Sequence, residues 1–232
     1  MVRPDTVAVA DGVGGWESTA NANPALFSQL LLKFVSEEME RLALLGEKAE
    51  EYRNAQPVQV LETAFARVRD VIGSSTAVLG ILRGSQLRIA TLGDSGLMVV
   101  RGGTRLFRSK DQQHSFNFPF QMGSGCQTGP KDCRREVVQL HEGDVVLAAS
   151  DGLFDNLFEE EILKIVDEVR GRRLASDFEP EEVCTRLVRA AAEVAQDQRA
   201  HSPFEAHATE EGMFFQGGKM DDISVVVSIV ET

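Results

Sequence analysis

Thr6-Val7-Ala8-Val9-Ala10-Asp11-Gly12-Val13-Gly14-Gly15-Trp16 is a short apolar run that stops at an aspartate and is followed by three glycines within four residues. An apolar run of this length bounded by turn residues reads as a buried β-strand. Asp-Gly is turn chemistry, because glycine tolerates positive φ and lets the backbone approach a neighbour closely. Taken alone, Asp11-Gly12 is a capped turn. The pattern returns twice, however. Val145-Val146-Leu147-Ala148-Ala149-Ser150-Asp151-Gly152 is again an apolar run ending in Asp-Gly, and Gly217-Gly218-Lys219-Met220-Asp221-Asp222 leads into the apolar run 223–230. Carboxylates placed at several strand ends build an oxygen-lined site suited to hard divalent cations.

The chain has 232 residues, 43% of them hydrophobic and 26% charged. That is ordinary globular composition and enough length to bury a sizeable core. The net charge of −12 argues against a nucleic-acid partner, which requires clustered Lys and Arg. Many of the acids, among them Glu37, Glu38, Glu40, Glu47, Glu50 and Glu51, belong to solvated helix faces. Cys126, Cys133 and Cys184 have no zinc-type spacing and are expected to be reduced thiols. No apolar run approaches the length of a membrane span, and no signal or transit peptide is visible.

Along the chain, Asn23-Pro24 is a helix start, with Leu26, Phe27, Leu30, Leu31, Phe34 and Val35 on its apolar face. Gly46 marks a break, and Pro57 opens a second helix with Leu61, Ala64, Phe65 and Val68 inward. Short strands follow at 76–82, 86–92, 97–101 and 105–107, joined at Arg83-Gly84-Ser85-Gln86 and Arg101-Gly102-Gly103-Thr104, and read as an antiparallel meander. Residues 111–134 lack periodicity and read as a loop or flap. Strands resume at 136–140 and 145–149, helices at 158–169 and 180–196, and a loop over 201–220 precedes the last strand. The expected class is α+β, with antiparallel strands in two sheets and helix pairs on the outer faces. With no repeat and no linker, residues 1–232 are expected to form a single domain.

The chemistry-bearing set is Asp11-Gly12, Gly93-Asp94-Ser95, Ser150-Asp151-Gly152 and Asp221-Asp222. With it, the blocks DGVGGW (11–16), SSTAVLGIL (74–82), TLGDSGLMVVRGG (91–103), LAASDGLFDN (147–156) and GGKMDDISVVV (217–227) resemble, in order and over nearly the whole chain, the metal-dependent protein phosphatases of type 2C. Residues 25–28 and 112–121 look like the branch that includes mitochondrial phosphatases.

The resemblance implies a two-layer antiparallel β-sandwich flanked by antiparallel helix pairs, with two Mn²⁺ or Mg²⁺ ions bound at one edge. Asp11 is then expected to bridge both ions, the Gly12 carbonyl to bind one, and Asp151 and Asp221 to hold the other. Asp94 matches the residue that holds a weaker third ion in some relatives, and Asp222 falls outside the ligand set. The implied activity is hydrolysis of phosphoserine and phosphothreonine in proteins. Two ions about 3.5–4 Å apart lower the pKa of a shared water from about 15.7 towards about 7 and neutralise the phosphoryl oxygens. Hard cations select carboxylate, carbonyl and water ligands over thiolate or imidazole. A phosphoprotein substrate and a monomer are expected. The branch resemblance implies a mitochondrial location, with plastid or cytoplasm as alternatives.

Two features depart from the family pattern. Relatives carry an acidic ligand and a phosphate-binding Arg on a strand upstream of the first Asp-Gly, where this sequence begins, so an N-terminally truncated domain is expected. Val13 stands where some relatives have a His that serves as proton donor. Two rival readings therefore stand beside the phosphatase: a catalytically impaired module that binds or regulates, and an enzyme acting on small phosphorylated metabolites.

Blander readings apply elsewhere. Asp94 fits a hairpin turn as well as a metal ligand. Asp155 and Asn156 read as caps of the next helix. Trp16 and the His114, Phe116, Phe118 and Phe120 group read as packing, and Arg108 and Lys110 as exposed cations. Cys126 lacks the phosphate loop ending in Arg that a cysteine phosphatase needs. Asp151-Gly152-Leu153-Phe154 is no EF-hand loop, and no P-loop is present.

Overall fold

The computed structural model describes residues 1–171 and 178–231. In chain order its strands are β1 (Val2–Arg3), β2 (Thr6–Val9), β3 (Ser74–Ser75), β4 (Ala77–Arg83), β5 (Gln86–Leu92), β6 (Gly96–Arg101), β7 (Thr104–Arg108), β8 (Gln113–Ser115), β9 (Phe118–Pro119), β10 (Met122–Gly123), β11 (Arg134–Gln139), β12 (Val145–Ala149) and β13 (Val225–Ile229). The helices are α1 (Pro24–Leu44), α2 (Glu50–Asn54), α3 (Pro57–Arg67), α4 (Asp151–Phe154), α5 (Glu159–Arg170), α6 (Pro180–Gln196) and α7 (Pro203–Glu210). The class is α+β with antiparallel sheets, as expected. The chain divides into two compact units, residues 1–95 with 111–140 and residues 96–110 with 141–232.

The first unit carries a five-stranded sheet in the order β1-β2-β4-β5-β11, with every pair antiparallel. All four residues of β2 are buried, which is why the run that ends near Asp11 shows no polar alternation. Helix α1 starts where Asn23 caps it: its side chain accepts from the Leu26 N–H at 2.9 Å, and Pro24 follows at the first helical position. Phe27, Leu31, Val35, Met39 and Leu42 of α1 are buried with Val58, Leu61 and Ala64 of α3 and Leu79, Ile81, Ala90 and Leu92 of the sheet. Leu26 is exposed; the buried face follows the spacing from Phe27 and leaves Leu26 outside it.

The second unit carries a four-stranded antiparallel sheet in the order β13-β12-β6-β7. Met98, Val100, Val145, Leu147 and Ala149 bury one of its faces under Leu153, Ile162, Val166, Val183, Leu187 and Ala191.

The meander expected over 76–107 is interrupted. Strand β5 pairs with β4 and β11, whereas β6 pairs with β7 and β12. The turn between β5 and β6 is held by a buried contact, Thr76 Oγ1 to Ser95 Oγ at 2.7 Å, and does not close a hairpin. Other elements depart from expectation as well. The region 111–134 contains the short hairpin β8–β9, and the expected loop at 201–220 contains α7, whose start Ser202 caps by accepting from the Glu205 N–H at 3.1 Å.

Candidate metal centre

In the first unit the chain leaves β2 and is pinned over the next four residues. The Asp11 carbonyl accepts from the Thr76 N–H at 2.9 Å and from the Ser75 hydroxyl at 2.8 Å. Gly12 forms a bridge with Ser75, and the Val13 N–H donates to the Ser74 carbonyl at 3.1 Å. A Cβ on Gly12 would lie 2.6 Å from the Pro24 carbonyl oxygen, so the entry of α1 excludes any side chain there. Asp94 is buried in the turn after β5. The Trp16 indole N–H donates to Ser74 Oγ at 2.9 Å. Around the following segment lies a cavity of about 600 Å³, lined by Trp16, His114, Phe118, Gln121, Cys126 and Thr128 among others. His114 stacks on Phe120 at 4.3 Å between ring centres, so the aromatic cluster packs on itself as expected.

In the second unit, sheet pairing brings two of the expected ligands together. Strands β12 and β13 are antiparallel neighbours, with Ala149 opposite Val225. The end of one therefore lies beside the beginning of the other, and Asp151, just after β12, meets Asp221, just before β13. Ser150 locks this junction. Its hydroxyl donates to the Asp222 carbonyl at 2.9 Å and accepts from the Ser224 N–H at 3.0 Å. A Cβ on Gly152 would lie 2.3 Å from the same Asp222 carbonyl oxygen, so the two segments touch backbone to backbone. The Asp222 N–H donates to Asp221 Oδ1 at 2.9 Å.

The carboxylates of Asp151, Asp155 and Asp221 gather on one ammonium. Lys219 Nζ lies 2.6, 2.7 and 2.9 Å from them, and 5.0 Å from the centre of the Phe204 ring. Burial alone would lower the Lys219 pKa, but Asp155 and Asp151, through charge and hydrogen bonds, overcome that and hold it well above the ordinary lysine value. Asp151 Oδ1 is buried and has no hydrogen-bond partner among the described residues. A buried carboxylate oxygen without a donor is costly unless a cation satisfies it. The donors gathered here are all hard oxygens, so the residues fit a divalent cation such as Mn²⁺ or Mg²⁺.

Asn156 is not a cap of the following helix, because α5 begins one turn later with Phe158 at its cap position. The fully buried Asn156 side chain exchanges two hydrogen bonds of 2.9 Å with the Lys219 main chain and donates a third to the Gly152 carbonyl. It ties the Asp-Gly turn to the Gly-Gly-Lys segment. Asp155, the other expected cap, is one of the three acids on Lys219. The sequence reading missed Lys219, although a single cation between two glycines and two aspartates was a visible signal. Arg108 is not a free surface cation, since its guanidinium lies 3.6 Å from the centre of the Phe154 ring. All three cysteines are free thiols.

Comparison with known proteins identifies the chains and folds that this one resembles. The family model described as Stage II sporulation protein E (SpoIIE) matches residues 25–202. "Probable protein phosphatase 2C 80" of Arabidopsis thaliana is 37% identical over 227 residues, which cover 97% of this chain and 51% of that protein. "Protein phosphatase PTC7 homolog" of Homo sapiens is 34% identical over 241 residues, 97% of this chain and 75% of that one. Among solved structures, that of the photosystem II phosphatase PBCP superposes with a TM-score of 0.82 at 32% identity, covering 97% of this chain and 87% of the other. The catalytic domain of the serine/threonine protein phosphatase PstP, in complex with two manganese ions, shares the fold at a TM-score of 0.63 and 19% identity, covering 98% and 88%. The chain spans about half the length of the Arabidopsis relative. Similarity extends along nearly all of its residues and across most of the human relative, and on that ground the chain belongs to the type 2C protein phosphatase family.

Proposed function

We propose that the chain is a metal-dependent protein serine/threonine phosphatase, its two units acting as one catalytic domain on a phosphoprotein substrate. Asp11, with Asp151 and Asp221, would hold two divalent ions through carboxylate oxygens, as the resemblance implies. The Gly12 carbonyl binds one ion, and Asp94 holds a third, weaker one. The observation that carries this reading is the convergence of Asp151, Asp155 and Asp221 on one cation, with Asp151 Oδ1 left for a further partner. When bound, the ions supply neutralising charge for the phosphoryl group and a water made acidic enough to ionise near neutral pH. The chain's own residues position. Ser150 and Asn156 hold the Asp151 and Asp221 segments in register, and Ser75 and Thr76 fix the main chain at Asp11. Val13 has no titratable side chain and cannot pass a proton to the leaving alcohol.

Manganese fits the two-manganese complex of a protein of the same fold, with magnesium as the alternative. We place the protein in the mitochondrion on the branch resemblance; the likeness to a photosystem II phosphatase favours a plastid as second reading. We take it to be a monomer. The test is phosphate release from a phosphothreonine peptide with Mn²⁺, run beside a sugar phosphate. Chelator abolishes turnover, and Asp11→Asn or Asp151→Asn lowers it by about two orders of magnitude. Turnover that survives chelator and both substitutions refutes the reading. Bound metal without turnover identifies a binding module, and preference for the sugar phosphate identifies a metabolite hydrolase.

A further inference from the structure

Lys219 stands on a floor of three carboxylates, and its position is imposed from outside the acids. Asn156 grips its main chain on both sides of the peptide, N–H to Oδ1 and Nδ2 to C=O, each at 2.9 Å. Gly218 before it approaches α6 so closely that a Cβ would lie 2.0 Å from the Val194 carbonyl oxygen. The segment therefore has little freedom, and the lysine stem projects from a fixed origin. Its side chain is 13% exposed, as is that of Asp151, so the pair is shielded from solvent screening. Phe204 closes another side, its ring face 5.0 Å from the ammonium.

Three clustered carboxylates repel one another, and in a shielded place that repulsion destabilises the fold unless a cation offsets it. Lys219 sets its ammonium against all three. The ammonium takes Asp151 Oδ2 and Asp221 Oδ2 and leaves Asp151 Oδ1 for a divalent ion, so ion and ammonium, both positive, compete for the same two carboxylates.

We infer that Lys219 is a resident counter-cation that holds the acids together and competes with a divalent ion for the Asp151 and Asp221 carboxylates, so that this lysine sets metal affinity from within the site. The inference rests on the metal-site reading above and adds a residue to it. On ion binding the ammonium retreats to Asp155, which lies outside the proposed ligand set and keeps its partner. The arrangement weakens the first metal-binding step while protecting the empty site from unfolding.

The experiment is Mn²⁺ titration calorimetry and thermal melting of the chelator-stripped chain, as wild type, Lys219→Met and Lys219→Arg. Lys219→Met is expected to melt lower without metal, to bind Mn²⁺ at least about tenfold tighter, and to gain more in melting temperature from Mn²⁺ than wild type. Lys219→Arg, which keeps the cation, is expected to stay within about threefold of wild-type affinity. Unchanged or weaker Mn²⁺ binding in Lys219→Met overturns the inference. Should Lys219→Met not fold, reductive methylation of wild-type Lys219, followed by mass spectrometry, gives the answer. Its rate is expected to rise about fivefold when Mn²⁺ is added, and an equal or slower rate overturns the inference. A wild-type chain that binds no Mn²⁺ at all defeats the functional reading instead.

Discussion

Replacing Gly152 by alanine tests whether the site depends on direct contact between two backbone segments. The added Cβ would sit 2.3 Å from the Asp222 carbonyl oxygen and 2.9 Å from its carbon. Ordinary contact begins near 3.4 Å, so about 1.1 Å of separation is needed (3.4 − 2.3). Neither side is a flexible side-chain tip. Gly152 lies in the first turn of α4, and the Asp222 carbonyl accepts the buried Ser150 hydroxyl at 2.9 Å. Moving Asp222 away by that amount breaks the Ser150 contact and carries Asp221 with it. Overpacking of this kind costs about 1–3 kcal/mol, and the lost buried hydrogen bond adds about 1. A total of about 2–4 kcal/mol lowers the melting temperature by about 4–16 °C for a chain of this size. Because Asp221 moves, Mn²⁺ affinity falls by about 10–100-fold, as when a residue supporting a metal ligand is lost. The assay is differential scanning calorimetry with Mn²⁺ titration, using Gly14→Ala as control, since a Cβ on Gly14 meets nothing within 4 Å. If Gly152→Ala and Gly14→Ala melt within 1 °C of each other and bind Mn²⁺ equally, backbone contact does not position Asp221.

Two further outcomes are expected. Asp144 is buried and held by Arg101 through two hydrogen bonds of 2.8 and 2.6 Å and by the His141 N–H at 2.8 Å. Burial alone would raise its pKa, but these bonds outweigh it and hold the carboxyl below its ordinary value. A lowered folded-state pKa stabilises fully above the unfolded value of about 3.9, and that stability is lost as pH falls through the folded value. Asp144→Asn should therefore cost about 2–3 kcal/mol at pH 7, and the gap to wild type in urea melts should close below about pH 4; a gap constant with pH refutes the assignment. Burial pushes the Cys133 thiol up to about 12 and raises Cys126 and Cys184 as well. Iodoacetamide at pH 7.5 should leave Cys133 unmodified in the folded chain while denatured chain reacts at all three positions, and rapid labelling of native Cys133 would refute its burial.

Local signals carried much of the fold. Asn23-Pro24, Pro57 and Pro180 begin helices where they stand, because capping and a fixed φ act within one turn. The same signal stands in Ser202-Pro203-Phe204-Glu205, where α7 begins inside the expected loop. The apolar runs before Asp11 and Asp151 are buried strands because every residue of each is apolar or small enough to pack on both faces.

By itself the sequence determined the family blocks, the strand-end aspartates and the ordering of strands and helices, since these are properties of residue type and short-range spacing. Tertiary structure alone decided three matters. It assigned β5 and β6 to different sheets, turned Asn156 from a cap into a clamp on Lys219, and set the Lys219 ammonium on Asp151, Asp155 and Asp221. Asn156 and Lys219 are 63 positions apart and Lys219 and Asp151 are 68, and contacts at that range are chosen by the packing of whole elements, which leaves no periodicity in the chain to read.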